Sequence, residues 1–178
     1  MTKKITIHTL GPTGTNCEKA ASKWFADNNI EGDIVLHQTL EIAVKTIENS
    51  DTDLLLGCAV YPDLHNIVFE NLPRLKLIDS FIMPTIEMVL ASRGQETLAT
   101  FATHPAPRSL VSHLAPVFVN SNAAAALACA AGEADACITT AVAAEANNLT
   151  VLENFGPVPM CFTIHSTHNF QPNYRELN

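Results

Sequence analysis

The stretch Leu10-Gly11-Pro12-Thr13-Gly14-Thr15-Asn16-Cys17-Glu18 constrains this chain more than any other. The apolar run Ile5–Leu10 before it reads as a buried strand, and Ala20, Ala21, Trp24 and Phe25 after it fall at helical spacing. A strand, a tight turn and a helix start thus follow directly on one another. Gly11 and Gly14 permit the turn and a close approach of a ligand to the backbone. Thr15 and Glu18 have the spacing of a capping box, in which the hydroxyl takes one free amide and the carboxylate reaches back to another. The remaining amides and the positive end of the helix dipole face whatever sits above the turn, a geometry that suits an anion.

The same unit, apolar strand then Thr, Ser or Asn then helix, recurs along the chain. Asp33–His37 reads as a second strand, Thr39 as the cap of a helix carrying Leu40, Ala43, Val44 and Ile47, and Asp53–Val60 as a strand covered on both faces. The middle is less regular. Tyr61-Pro62-Asp63 turns the chain, Ile67-Val68-Phe69 and Leu75–Ile78 read as extended, and residues 80–85 as a crossing to a second series. There Leu98–Ala102 leads into Thr103-His104-Pro105-Ala106-Pro107 and a helix carrying Leu110, Val111 and Leu114. Val117–Val119 leads into Asn120-Ser121-Asn122 and an alanine-rich helix closed by Gly132. Ala136–Ile138 leads into Thr139, Thr140 and a helix to Ala146. The fold class is α/β. In parallel sheets such turns gather on one edge, where ligands bind. Two lobes with those edges facing enclose a cleft lined by helix N-termini and small hydroxyls, suited to a small carboxylate.

Composition narrows the partners. Acidic residues outnumber basic ones, 18 to 10, with no Lys/Arg cluster, which argues against nucleic acid. The longest apolar runs are interrupted, so no membrane span is expected. No apolar signal core precedes the first strand. The five cysteines, Cys17, Cys58, Cys129, Cys137 and Cys161, are widely spaced and read as small buried thiols, which makes a cytoplasmic location the expectation.

Gly11-Pro12-Thr13-Gly14-Thr15 with Glu18, then Thr103-His104-Pro105, then Ser121-Asn122-Ala123-Ala124-Ala125, resemble in order and spacing the G-P-x-G-T, S-H-P and S-T-A-A-A motifs of prephenate dehydratases. The resemblance spans about residues 5 to 165. It implies a two-lobed fold of the type II periplasmic-binding-protein kind with a ligand cleft between the lobes. Residues 1–82 would form lobe 1, completed by 158–178, and 83–157 lobe 2. Two departures stand out. The T-R-F motif of dehydratases, whose threonine is thought to assist loss of the ring hydroxyl, corresponds here to Met160-Cys161-Phe162. The chain also ends too early for a regulatory ACT domain. Both fit the shorter prephenate decarboxylases of bacilysin-type biosynthesis, which the chain resembles more closely through Thr103–Pro107, Val119-Asn120-Ser121 and Pro159-Met160-Cys161-Phe162. Val60-Tyr61-Pro62-Asp63 departs from both patterns.

The resemblance implies a cofactor-independent lyase acting on prephenate, a dianion, and retaining the ring hydroxyl. The candidate substrate-binding residues are Gly11, Pro12, Thr13, Gly14, Thr15, Asn16, Pro105, Ala106, Arg108, Asn120, Ser121, Asn122, Ala123, Thr139 and Met160. His104 is the candidate catalytic residue, as a donor to substrate or the source of a proton; the alternative is a histidine that only braces its turn. Arg108 is a charge partner or a solvated surface arginine. Cys17 at a helix start reads as packing, and Glu87 as lying on an exposed strand face. His165 and His168 form an H-x-x-H with no third ligand, so no metal is expected. A homodimer is left open. Two other readings compete with the decarboxylase: a dehydratase that manages without the threonine, and a binding module that kept the cleft and lost the chemistry.

Overall fold

The computed structural model describes residues 4–47 and 51–167. Two five-stranded sheets organise it, and they repeat one plan. In the first, β1 (Ile5–Leu10) lies between β2 (Gly32–His37) and β3 (Asp53–Cys58), all parallel. An antiparallel strand, β10 (Pro159–Thr167), separates β3 from the edge strand β4 (Leu75–Pro84). In the second, β6 (Thr100–Thr103) lies parallel between β7 (Ala115–Phe118) and β8 (Ala136–Thr140). The antiparallel β5 (Met88–Ser92) then separates β8 from β9 (Thr150–Gly156). The parallel triplet in each sheet puts its strand-to-helix turns on one edge.

Sequence chemistry explains the packing of the first sheet. Leu54, Leu55 and Leu56 of β3 are all buried because helices and strands cover both faces. Helix α1 (Asn16–Asn28) lays Ala20, Ala21, Trp24 and Phe25 on the sheet, and Trp24 satisfies its indole by donating to Asp79 Oδ2 of β4 at 2.7 Å. Helix α2 (Leu40–Thr46) buries Leu40, Ala43 and Val44, and Thr39 Oγ1 caps it by accepting from Ile42 N. In the second sheet, helix α4 (Asn122–Ala131) buries Ala125, Ala126, Ala128 and Cys129, whose small side chains let it lie close to the strands. Gly132 ends it at φ 83°, a conformation glycine adopts without a Cβ clash. Arg93 donates to Cys129 O and Ala134 O, placing a cation at the helix's negative end. Helix α5 is Ala141–Ala146.

Two local expectations are corrected. Ile67-Val68-Phe69 does not extend but forms part of helix α3 (Leu64–Glu70). Leu64 and Ile67 share its inner face and Phe69 points outward, so the three β-favouring residues misled a reading by propensity. The segment after His104 is one 3-10 turn, Ala106–Leu110, and not a helix reaching Leu114. Val111 is already extended, and Pro105, Pro107 and Pro116 crowd the segment with residues that lack an amide donor.

The chain passes between the sheets at 85–87 and returns at 157–158. Thr85 N donates to Val158 O and Val158 N donates to Thr85 Oγ1, each at 2.9 Å. Asn16 Oδ1, at the start of α1, accepts from Ile86 N at 2.7 Å. Among the described residues no helix is long and apolar enough to cross a membrane.

Candidate active site

A cavity of about 330 Å³ opens where the two sets of turns face each other. The turn after β1 supplies Gly14, Thr15, Asn16 and Cys17. Thr15 Oγ1 accepts from Glu18 N at 3.4 Å and donates to Leu10 O at 3.2 Å, while Glu18 Oε2 accepts from Gly14 N at 2.5 Å. The reciprocal cap read in the sequence is thus formed, with the carboxylate reaching Gly14. The first amides of α1, at Asn16 and Cys17, have no acceptor within the helix and lie at the cavity wall.

The opposite wall repeats this arrangement. Ser121 Oγ caps α4 by accepting from Ala124 N at 3.1 Å, which leaves its own proton free to donate. Asn122 and Ala123 begin the helix and line the cavity. Two helix N-termini from different sheets thus converge on one space, each favouring negative charge. Asn122 Oδ1 is buried there with no hydrogen-bond partner, while its Nδ2 lies 3.6 Å from Met88 Sδ. A donor on a ligand would satisfy that oxygen; a half-turn of the amide would instead present its NH₂ to a carboxylate and turn the oxygen toward Met88 Sδ.

His104 leaves β6 and lines the cavity. Its Nδ1 accepts from Ala106 N at 3.2 Å, so the neutral ring carries its proton on Nε2. Burial holds its pKa below the ordinary histidine value. Met160, on β10, lines the floor with Leu10, Met88, Val158 and Phe162. None of the residues lining this cavity is Asp, Glu, Lys or Arg.

The remaining candidates lie elsewhere. Gly11 is buried behind the turn, its amide donating to His37 O at 2.7 Å, and Pro12 and Thr13 are exposed outside the lining. Arg108 points away and donates to Pro105 O at 3.2 Å. Thr139 is fully buried and spends its hydroxyl on Asn122 O at 2.6 Å, bracing α4; the neighbouring Thr140 lines the cavity instead. Pro105 and Asn120 line a second cavity, of about 210 Å³, that shares Leu10, Tyr61 and His104 with the first. Burial pushes the Cys17 thiol up to about 12, so it packs as a neutral group. Glu87 is exposed, its Oε2 accepting from Asn154 Nδ2 at 3.3 Å. His165 is buried with Nε2 3.1 Å from Thr163 Oγ1, and His168 lies outside the described residues.

Tyr61 was not among the sequence candidates. It borders both cavities, and its hydroxyl donates to Glu41 Oε2 at 2.7 Å. Only its membership of the aberrant Val60–Asp63 segment marked it in the sequence.

No family model matches the chain. A prephenate decarboxylase of Planktothrix agardhii is 31% identical to it, covering 91% of this chain and 88% of the relative. A prephenate decarboxylase of Bacillus subtilis is 27% identical over 92% of this chain and 87% of its own. Among solved structures, the prephenate dehydratase of Arthrobacter aurescens, in complex with L-Phe, superposes with a TM-score of 0.70 at 19% identity; the match covers 96% of this chain and 63% of that one. The VFT2 domain of BvgS from Bordetella pertussis superposes with a TM-score of 0.57 at 14% identity, over 92% of this chain and 80% of that one. These structures share the fold.

Proposed function

The chain belongs to the prephenate decarboxylase family, and on that premise we propose that it removes the ring carboxylate of prephenate as carbon dioxide while leaving the ring hydroxyl in place. The observation that carries the proposal is the make-up of the larger cavity. Two helix N-termini can hold a carboxylate, yet the lining contains no carboxylic acid and no lysine or arginine; it contains Met160, which by the motif resemblance corresponds to the dehydratase threonine. Loss of hydroxide needs an acid to protonate the departing oxygen. Decarboxylation needs a carboxylate taken out of water, because the charge it carries disappears from the leaving group as carbon dioxide forms.

In the proposed step the bond between the ring and its carboxylate breaks. The electron pair enters the ring diene, and a ring carbon takes one proton. The product is a dihydro-4-hydroxyphenylpyruvate, and no electron acceptor is consumed. The α1 and α4 N-termini, with Ser121, orient the ring carboxylate in the larger cavity. His104 delivers the proton from Nε2 in its imidazolium form, in which Nδ1 is protonated and no longer accepts from Ala106 N. The reading extends to a cytoplasmic location, which the unpaired thiols favour, and to a role in specialised-metabolite biosynthesis of the bacilysin type, which the resemblance implies.

Incubation with prephenate tests the proposal. The expected product is non-aromatic and retains the oxygen, and no phenylpyruvate absorbance appears at alkaline pH. Phenylpyruvate from the wild type would instead make the chain a dehydratase. No turnover, with saturable thermal stabilisation by prephenate, would make it a binding module. In Met160→Thr, a hydroxyl returns to the cavity floor, and phenylpyruvate is expected to appear alongside the decarboxylated product.

A further inference from the structure

The second cavity has a chemistry of its own. It continues from the first through Leu10, Tyr61 and His104, and its wall carries Gln38, Thr39 and Asn120, whose amides and hydroxyl can donate to a carboxylate. It also carries Asp63. Among the residues lining the two cavities, Asp63 is the only carboxylic acid side chain. Glu41 stands behind Tyr61 and accepts a hydrogen bond from its hydroxyl at 2.7 Å, which adds a second carboxylate to the same side. No Lys or Arg lines either space to offset them. Tyr61 and Asp63 belong to Val60-Tyr61-Pro62-Asp63, the segment that departs from the motif patterns read in the sequence.

A tail with a carboxylate and a keto oxygen brings only negative charge and acceptors to this wall. A tail with a carboxylate and an ammonium matches it, with the carboxylate on Asn120 and Gln38 and the ammonium on Asp63. We infer that the second cavity is the subsite for the three-carbon tail of the substrate, and that Asp63 selects an α-ammonium there over a keto oxygen. The amino-acid counterpart of prephenate is then the better substrate. This rests on the lyase reading for its chemistry, since the ring and its carboxylate occupy the larger cavity as above.

Two experiments separate this inference from that reading. In the first, kcat/KM is measured for prephenate and for its amino-acid counterpart. The wild type is expected to favour the amino substrate by about tenfold or more, and Asp63→Asn to bring the ratio close to one, chiefly through KM. A wild-type preference for prephenate, or a ratio that Asp63→Asn leaves unchanged, overturns the inference. Asp63 is exposed, makes no capping bond to α3 and receives only a long bond, 3.4 Å, from Asn66 Nδ2, so its replacement leaves the fold intact. In the second, calorimetry compares L-tyrosine with 4-hydroxyphenylpyruvate, which carry the same two tails and cannot react. Tighter binding of L-tyrosine that is lost in Asp63→Asn supports the tail subsite even if neither substrate turns over, a result that would sink only the lyase reading. Equal binding of the two in the wild type overturns the subsite.

Discussion

His8 Nδ1 lies 2.9 Å from His37 Nε2, and the two rings stack with centroids 5.2 Å apart. One proton serves that contact, so it survives protonation of one ring and is lost when both are protonated and an N–H stands on each side. Burial holds both rings below the ordinary histidine pKa; for His8 the neighbouring His37 adds to this and Asp53 opposes it. Burial does the same to His104 and His165. The unfolded chain therefore binds more protons than the folded one once the pH drops below about 6.5. Stability is full above that value and declines as the pH falls through the lowered folded values. Thermal melts should show Tm level above about pH 7 and falling below it, with a shallower fall in His37→Gln. A Tm that rises on acidification contradicts this.

Turnover should respond to acid in the opposite direction. His104 delivers a proton only as imidazolium, and burial confines that form to pH values below the ordinary histidine range. The rate is expected to rise as the pH falls below about 6.5, within the range where the protein stays folded. His104→Gln should lower kcat by about 100-fold and flatten this limb, with KM little changed. An unaltered pH profile would reduce His104 to a brace for its turn.

Ser121 joins stability to binding. Its Oγ accepts from Ala124 N, which leaves its own proton available to a ligand, and the residue lines the cavity. Ser121→Ala should cost about 1 kcal/mol in chemical denaturation through loss of the cap. It should also raise the KM for prephenate several-fold. A variant equal to wild type in both KM and kcat removes α4 from the substrate site.

Gly32 is a packing test remote from the cleft. A Cβ built there would meet Phe25 Cζ at 2.3 Å and Ile5 O at 2.6 Å. Part of that contact is backbone, so the side chain alone cannot relieve it. Gly32→Ala should destabilise the protein by about 1–3 kcal/mol. Denaturant titration checks the value, and turnover per folded molecule should not change.

Much of this arrangement was legible because it is local. The β-α-β-α-β order of the first sixty residues follows from apolar runs and caps, and Thr15, Thr39, Ser121 and Thr140 each cap a helix through a bond made within three residues. What the sequence hid depends on the third dimension. Thr139 and Thr140 are indistinguishable as letters; strand alternation turns one toward Asn122 O and leaves the other at the cavity. The helical form of Ile67-Val68-Phe69 was set by burial of Leu64 and Ile67 against the first sheet, which overrode their β propensity. Tyr61 gained its position from Glu41, on a helix earlier in the chain, a pairing that no motif announces.

The reciprocal bonds between Thr85 and Val158 have a mechanical consequence. Two separate connections would let the halves slide past each other. Laced together, they resist that sliding, and a rotation about the pair would be the softer relative movement. Asn16, which also grips Ile86, sits near that pair, whereas Asn120 and Asp63 border the outer cavity. A small rotation therefore barely disturbs the inner end of the cleft and changes the outer end most. The wall built on Asn16 would thus hold its shape under a rotation that reshapes the wall carrying Asn120 and Asp63.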